Sequence, residues 1–364
     1  MRTLLSLPRE DIDACIEAYE FMVNGTSDIA ESAGDVDVET DHARTCTICD
    51  MYRVDGQILI FCTSPHCCLL RQVRAYYAVA NEMLAVVDIE KMYIPPQIDA
   101  REGLFGNQML WEKRVFDTLA LPGGDADARA DARLLDVGCG RGRISHHAAA
   151  HTGARVSGFN IDARQIDNAK AHANATGSTG ARLDFKVGDH HKPFAYGEDT
   201  FDGAYSFQAI WPFFKKAALD DVARELFRVL KPGSKYSCSE YLLTPHFDQH
   251  DPEHMRLHAL FLPTLAATQS NYPADVTAAL ERAGFEVLLS APSSAPAWPL
   301  TDQKTDLFLT MRSIVVGLNK LGVVPAYVLV IIDNFLQGGQ AWAAAEKMKI
   351  ADLNWRIIAQ KPSM

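Results

Sequence analysis

The chain has 364 residues, 48% of them hydrophobic, enough for one large domain or two ordinary ones with a sizeable core. Its formal net charge is −11 and its isoelectric point is about 5.5, with no basic stripe, which argues against a nucleic-acid partner and against adhesion to anionic membranes. Eight cysteines are few for this length, which argues against a secreted disulfide scaffold.

The opening ten residues contain no apolar run long enough for a signal peptide. The most apolar late stretch, 323–336, holds Pro325, Asp333 and Asn334 and is too short and polar to span a bilayer. The expectation is a soluble, cytoplasmic protein without a transmembrane segment, with an organellar address left open.

Residues 1–45 read as an acidic segment: a short helix over 10–23, then a run rich in Asp and Glu over 27–42 that is expected to be flexible. Residues 46–125 read as a Cys-rich hairpin followed by a helical lid. Asp55-Gly56 between the apolar runs 51–54 and 57–61 is a hairpin signal. Cys46 and Cys49 precede it, and Cys62 and Cys67 follow, which outlines a zinc ribbon. Its second half is not a clean C-x-x-C, so the leading expectation is no metal, with thiols kept reduced. A redox C-x-x-C lacks the expected βαβ context. Apolar spacing predicts helices over 69–88 and 104–119, the second carrying Asn107, Gln108, Trp111 and Glu112.

From residue 126 to 364 the pattern alternates strand and helix, which predicts an α/β doubly wound sheet. Strands are expected over 133–137, 155–160, 183–187, 201–207, 234–242, 285–289 and 354–359. Helices are expected over 144–151, 163–174, 217–230, 252–268, 274–283, 305–321, 326–336 and 340–349, with Lys231-Pro232-Gly233 closing one and Gly338-Gly339 separating the last two. The first strand runs into Gly138-Cys139-Gly140-Arg141-Gly142, a turn whose backbone can approach a ligand closely. In such sheets ligands lie beyond the carboxyl ends of the strands. Here those ends are Gly138 to Gly142, Asn160, Asp189-His190 and Gln208.

The turn, with Asp136 two positions ahead of it, resembles motif I of the S-adenosylmethionine (SAM) methyltransferases. Further blocks resemble the sterol methyltransferases over 134–362: Gly158-Phe159-Asn160 with Gln165, Arg228-Val229-Leu230-Lys231-Pro232-Gly233, Asp251-Pro252-Glu253-His254, Ala283-Gly284-Phe285-Glu286-Val287, Gly338-Gly339 and Ile358-Ala359-Gln360-Lys361-Pro362. The resemblance implies a class I methyltransferase (Rossmann-like) seven-stranded sheet with helical insertions and an N-terminal extension. It implies SAM as cofactor, S-adenosylhomocysteine (SAH) as product, and a small-molecule acceptor. Asp136, Gly138, Gly140 and Gly142 would hold the amino-acid end of SAM. Asn160 would serve the ribose, Gln165 would be a further cofactor-binding residue, Asp189 and His190 would serve the adenine, and Gln208 the methyl end.

Two segments depart from that family. The Y-E-x-G-W-G segment before the core is missing between Tyr93 and Gln108. The E-A-T-C-H-A-P-type segment after strand four reads Gln208-Ala209-Ile210-Trp211-Pro212-Phe213-Phe214, so its carboxylate is an amide. Alkene methylation generates a carbocation and then needs a base to remove a proton. Direct SN2 transfer to a thioether or tertiary amine needs none. A methylthio-carboxylate, as in dimethylsulfoniopropionate synthesis, would suit this and give a sulfonium. Sterol or isoprenoid C-methylation is the alternative. Glu240, with Gln208 and Tyr241, is the expected catalytic group, as base or as partner to a cationic product. Tyr93, Trp111, Glu112, Trp211, Phe213 and Phe214 are expected around the acceptor, their rings facing developing positive charge or simply packing the core. A Rossmann oxidoreductase needs Gly at 143 and an acid at 160, where Arg143 and Asn160 stand. A non-catalytic SAM-binding or interaction protein, and a homo-oligomer, stay open.

Overall fold

The computed structural model describes residues 50–54, 57–61, 93–122, 129–265, 267, 270–297, 307–322 and 326–363. The helices expected over 10–23 and 69–88, the acidic segment 1–45 and the set Cys46, Cys49, Cys62 and Cys67 lie outside these residues. Strands β1 (Asp50–Val54) and β2 (Gln57–Phe61) form the expected antiparallel pair, with Val54 opposite Gln57.

The main sheet has seven strands in the order β5-β4-β3-β6-β7-β9-β8. They are β3 (Arg133–Val137), β4 (Arg155–Asn160), β5 (Leu183–Val187), β6 (Phe201–Phe207), β7 (Leu230–Leu243), β8 (Glu286–Ala291) and β9 (Ala351–Gln360). β9 runs antiparallel to β7 and β8, and the other pairs are parallel. The chain winds outward from β3 to β5, then returns beside β3 as β6. The gap between the carboxyl ends of β3 and β6 is therefore the switch point where such sheets bind ligands. This is the doubly wound α/β sheet that the strand pattern predicted.

The helices are α1 (Leu104–Asp117), α2 (Arg143–Thr152), α3 (Ala163–Ala175), a single turn α4 (Gly177–Gly180), α5 (Leu219–Val229), α6 (Pro252–Phe261), α7 (Pro273–Arg282), α8 (Leu307–Lys320) and α9 (Ala326–Lys347). β3 is apolar on both faces because helices cover both. On one face Val222, Leu226, Val276 and Leu280 of α5 and α7 pack with Leu135 and Ile357. On the other, Val115 and Phe116 of α1 and Ala148 and Ala149 of α2 pack with Leu134 and Tyr205. A third cluster, Tyr241, Leu257, Phe261, Trp342 and Ile350, lies where α6 and α9 meet the end of β7.

Expected boundaries differ at three places that matter for the architecture. Gly338-Gly339 does not end a helix; α9 runs through it. A Cβ at Gly338 would lie 2.0 Å from Thr264 Cγ2 and 3.0 Å from the Leu260 carbonyl, so this glycine permits close contact with the α6 region. The helix expected over 252–268 ends at Phe261 and continues as a 3-10 turn, Leu262–Leu265, because Pro263 has no N–H to extend the α-helical ladder. Lys231-Pro232-Gly233 is an irregular stretch within β7, across which the register with β6 shifts. The carbonyls at the end of α5 are met instead by Lys361 Nζ, 3.0 Å from Phe227 O and 2.8 Å from Leu230 O.

Leu226→Ala should cost about 2–5 kcal/mol in urea unfolding, since Leu226 is fully buried between α5 and the sheet. A loss below about 1 kcal/mol would show that this layer is not closely packed.

Candidate cofactor and acceptor site

The glycine-rich turn joins β3 to α2. Gly138, Gly140 and Gly142 have φ of 79°, 54° and 80°, the left-handed region that side chains disfavour. Gly138 and Cys139 N–H both donate to Phe159 O at 3.1 Å, which folds the turn over the end of β4. A Cβ at Gly138 would meet Ala209 Cβ at 2.4 Å, and one at Gly142 would meet Phe185 Cζ at 2.8 Å. Gly140 is different: its nearest neighbour would be Gln165 Oε1 at 3.6 Å, so its outer side is open. Gly142 makes no side-chain cap for α2. An open turn leading into an uncapped helix start fits an anionic or strongly polar ligand group. Asp136 lies beneath the turn and accepts from Ser145 Oγ at 2.6 Å. Burial raises its carboxyl to about 7, with Ser145 pulling the other way.

Helix α1 is clamped to this turn through Glu112, which is fully buried. Tyr93 Oη donates to Glu112 Oε1 at 2.8 Å, and Arg143, the first residue of α2, bonds both carboxylate oxygens. His147 Nδ1 lies 2.7 Å from Oε2. Burial pushes the Glu112 carboxyl up, but His147 and Arg143 outweigh it and hold it below its ordinary value. Tyr93 stacks obliquely on Phe207 at the end of β6, ring centroids 5.3 Å apart. Its main-chain carbonyl accepts from Gln108 Nε2 at 2.7 Å.

At the end of β4, the Asn160 side-chain amide donates to Gln165 Oε1, which brings these two expected cofactor-binding residues together. Asp162 is the N-cap of α3, accepting from Arg164 N at 2.8 Å and Gln165 N at 3.1 Å. At the end of β5, Asp189 accepts from His191 N at 3.0 Å, and His191 Nδ1 lies 3.1 Å from the same oxygen. Burial opposes the charge on Asp189, but the His191 hydrogen bonds prevail and set it at about 2. His191 stacks on Phe214 at 4.3 Å, and the His190 ring lies 5.9 Å from that of Phe213. Phe213 and Phe214 therefore sit beside Asp189 and His190.

Gln208 follows β6 with φ of 49°, a strained value for a side-chain-bearing residue. Its amide donates to Leu353 O at 2.9 Å and Ile94 O at 3.4 Å. Ile94 O also accepts from Asn354 Nδ2 at 3.0 Å, so the segment ahead of α1 is fastened across β6 and β9. Glu240 on β7 is fully buried. Its Oε1 accepts from Ser206 Oγ at 2.6 Å, and its Oε2 accepts from Ala209 N at 2.9 Å and Ile210 N at 3.4 Å. Burial raises it to about 8, against the pull of those hydrogen bonds. Tyr241 points the other way, its hydroxyl 2.8 Å from Ser270 Oγ. Trp211 packs inside the main core, and Trp111 donates to Ser239 Oγ at 2.8 Å. Arg143, His147, Ser206 and Ser239 are site-building residues missed in the sequence. Arg143 and His147, four apart just after a glycine turn, were the available sign of a shared helix face.

Residues 134–233 match the family model described as "Methyltransferase domain". With the strand order above, that match likens this core to a methyltransferase domain on a class I methyltransferase fold. The chain is 34% identical over 197 residues to 24-methylenesterol C-methyltransferase 2 of Oryza sativa subsp. japonica, covering 51% of this chain and 49% of that protein. The chain thus spans about half the length of the curated relatives it matches. Among solved structures, the cyclopropane synthase MmaA2 from Mycobacterium tuberculosis superposes with a TM-score of 0.62 at 14% identity, over 82% of this chain and 99% of that one. Phospholethanolamine N-methyltransferase 2 of Haemonchus contortus gives a TM-score of 0.54 at 16% identity, over 84% and 63%. These two show the shared fold of the methyltransferase domain. Among the described residues, no group of three or more His, Cys, Asp or Glu is arranged to hold a metal, and no helix is long and apolar enough to cross a membrane.

Two substitutions test the buried carboxylates of the candidate site. Glu112→Gln removes a buried ion partner and should cost about 3–5 kcal/mol at neutral pH in urea unfolding. Because the folded Glu112 value is lowered, its stabilisation is present above the ordinary carboxylate range and disappears as pH falls through the folded value; the variant should lack that acid-side loss. Glu240 has the opposite sign. Its raised folded value means stability falls as pH rises from about 4.5 to about 8, and Glu240→Gln should flatten that slope. An unchanged slope would show that Glu240 does not titrate there.

Proposed function

We propose that the protein is a SAM-dependent methyltransferase that acts on a small molecule, and that the methyl goes to a lone-pair atom, the sulfur of a thioether or the nitrogen of an amine. One observation carries the preference for sulfur or nitrogen. The two positions from which the resemblance would draw a carboxylate base are Gln208, an amide bonded to Leu353 O and Ile94 O, and Glu240, whose oxygens accept from Ser206, Ala209 and Ile210. Proton removal after alkene methylation needs a base facing the acceptor. Transfer to a thioether needs alignment alone, and approximation can contribute roughly 7–11 kcal/mol.

When bound, SAM supplies a methyl on a positively charged sulfur. The residues that would hold it are the backbone of Gly138 to Gly142 at the amino-acid portion, Asn160 and Gln165 at the ribose, Asp189 and His190 at the adenine, and Gln208 beside the methyl. The open side of Gly140 and the uncapped start of α2 fit this assignment. Asp136 supports the turn from below through Ser145, and Glu240 supports the 208–210 loop in the same way. Phe213 and Phe214, beside His190, wall the site. Trp111, Trp211 and Tyr241 back it from the core. Tyr93 and Glu112 hold α1 over it.

The second reading, C-methylation of a sterol or isoprenoid, draws on the rice relative, a C-methyltransferase by name. A non-catalytic SAM-binding role is the reading from another class. Radiolabelled SAM offered with a sterol extract and with a set of small thioethers and amines separates them. Label is expected in the thioethers or amines. Label in sterols overturns the lone-pair assignment, and SAM binding by calorimetry without transfer to any acceptor supports the non-catalytic role. Gln208→Glu loses the donation to Leu353 O and Ile94 O and should lower thioether or amine transfer, whereas a rise in label entering sterols would favour the alkene reading.

A further inference from the structure

We infer that Gln108 binds the α-ammonium group of the amino-acid portion of SAM through its Oε1. The inference rests on the SAM reading above. Gln108 is fully buried on α1, and its Oε1 has no hydrogen-bond partner. The amide cannot be turned round to relieve this. Nε2 lies 2.7 Å from Tyr93 O, a main-chain carbonyl that only accepts, so the other end of the amide must be the oxygen. A buried acceptor without a donor is costly and rare, and it marks a place where something else donates.

Its position says what. Gln108 lies one helical turn before Glu112, which is bonded to Arg143 directly after Gly142. It holds the carbonyl of Tyr93, whose ring rests on Phe207 at the end of β6. Gln108 is thus placed over the switch point between β3 and β6, beside the glycine turn. The neighbouring donors are committed: Tyr93 Oη, Arg143 and His147 all serve Glu112. The missing partner must offer N–H or O–H. A carboxylate offers neither, whereas an ammonium offers three N–H donors and accepts nothing. Of the groups on SAM at the glycine-turn end, only the α-ammonium has that character.

The test is calorimetric binding of two probes, SAH and 5′-methylthioadenosine, which keeps the nucleoside and lacks the amino-acid portion. Gln108→Met keeps the bulk and loses the acceptor. It is expected to weaken SAH binding roughly 10-fold, as for loss of a hydrogen bond to a charged group, and to leave 5′-methylthioadenosine within about twofold. Gln108→Glu keeps the acceptor oxygen and, as a buried neutral acid, has an O–H that takes over the bond to Tyr93 O, and is expected to bind SAH about as tightly as wild type. Equal effects on both probes in a folded Gln108→Met protein, or no effect on either, overturn the assignment and point to a structural amide or a water-filled space. If Gln108→Met does not fold, Gln108→Glu decides: weaker SAH binding with unchanged 5′-methylthioadenosine binding overturns it. Wild type that binds neither probe overturns the SAM reading itself, which is a separate result.

Discussion

A single buried carboxylate, Glu112, ties the helix ahead of the sheet to the glycine turn after β3. An isolated charge in that position would be prohibitive, because burial disfavours it by far more than one hydrogen bond returns. Arg143, His147 and Tyr93 together reverse that balance. Arg143 is the first residue of α2, so the same ion pair that holds α1 down also sets the start of the helix whose N-terminus faces the glycine turn. The geometry of the turn and the position of α1 are thus one constraint. Gln108, a helical turn away on α1, inherits its position from it.

The reversed strand β9 supplies the second constraint. Because it runs antiparallel to β7, its first residues lie at the carboxyl ends of the parallel strands, where Leu353 and Asn354 meet Gln208 and the carbonyl of Ile94. Pro96 bridges to Ala297 on the far side, with Gln97 N–H donating to Pro296 O at 2.8 Å. Asn271 ties the loop after β6 from below, donating to Trp211 O at 2.8 Å and Phe214 O at 2.9 Å. Inside that frame Glu240 does for the 208–210 loop what Asp136 does for the glycine turn. Each is a carboxyl raised by burial and spent on holding backbone or a neighbouring hydroxyl.

Much of this is legible in the amino-acid sequence. The strands 133–137, 155–160, 183–187 and 201–207 coincide with the expected ones because each is a short apolar run bounded by turn residues. The N-cap Asp162 and the positive-φ glycines follow from residue chemistry that acts over a few positions. Misreadings occurred where one residue type has two physical uses. Glycine at 338 serves a helix contact with Thr264 rather than a stop. For Trp111 and Trp211 the sequence left pocket wall and core packing open, since a large ring is suited to both, and both rings are buried.

Sequence alone was sufficient for the alternation that demands a doubly wound sheet, for the glycine turn after β3 and for the acidic, polar termini of the strands, because these depend on local propensity and short-range spacing. It was also sufficient to show that Gln stands at 208 where a related family has an acid. It was silent on which side chains meet. Glu112 and His147 are 35 positions apart, Gln208 and Leu353 are 145 apart, and Trp111 and Ser239 are 128 apart. Whether a polar group ends as a ligand contact, a loop support or an orphan depends on those distant partners and on burial, and both are properties of the packed chain.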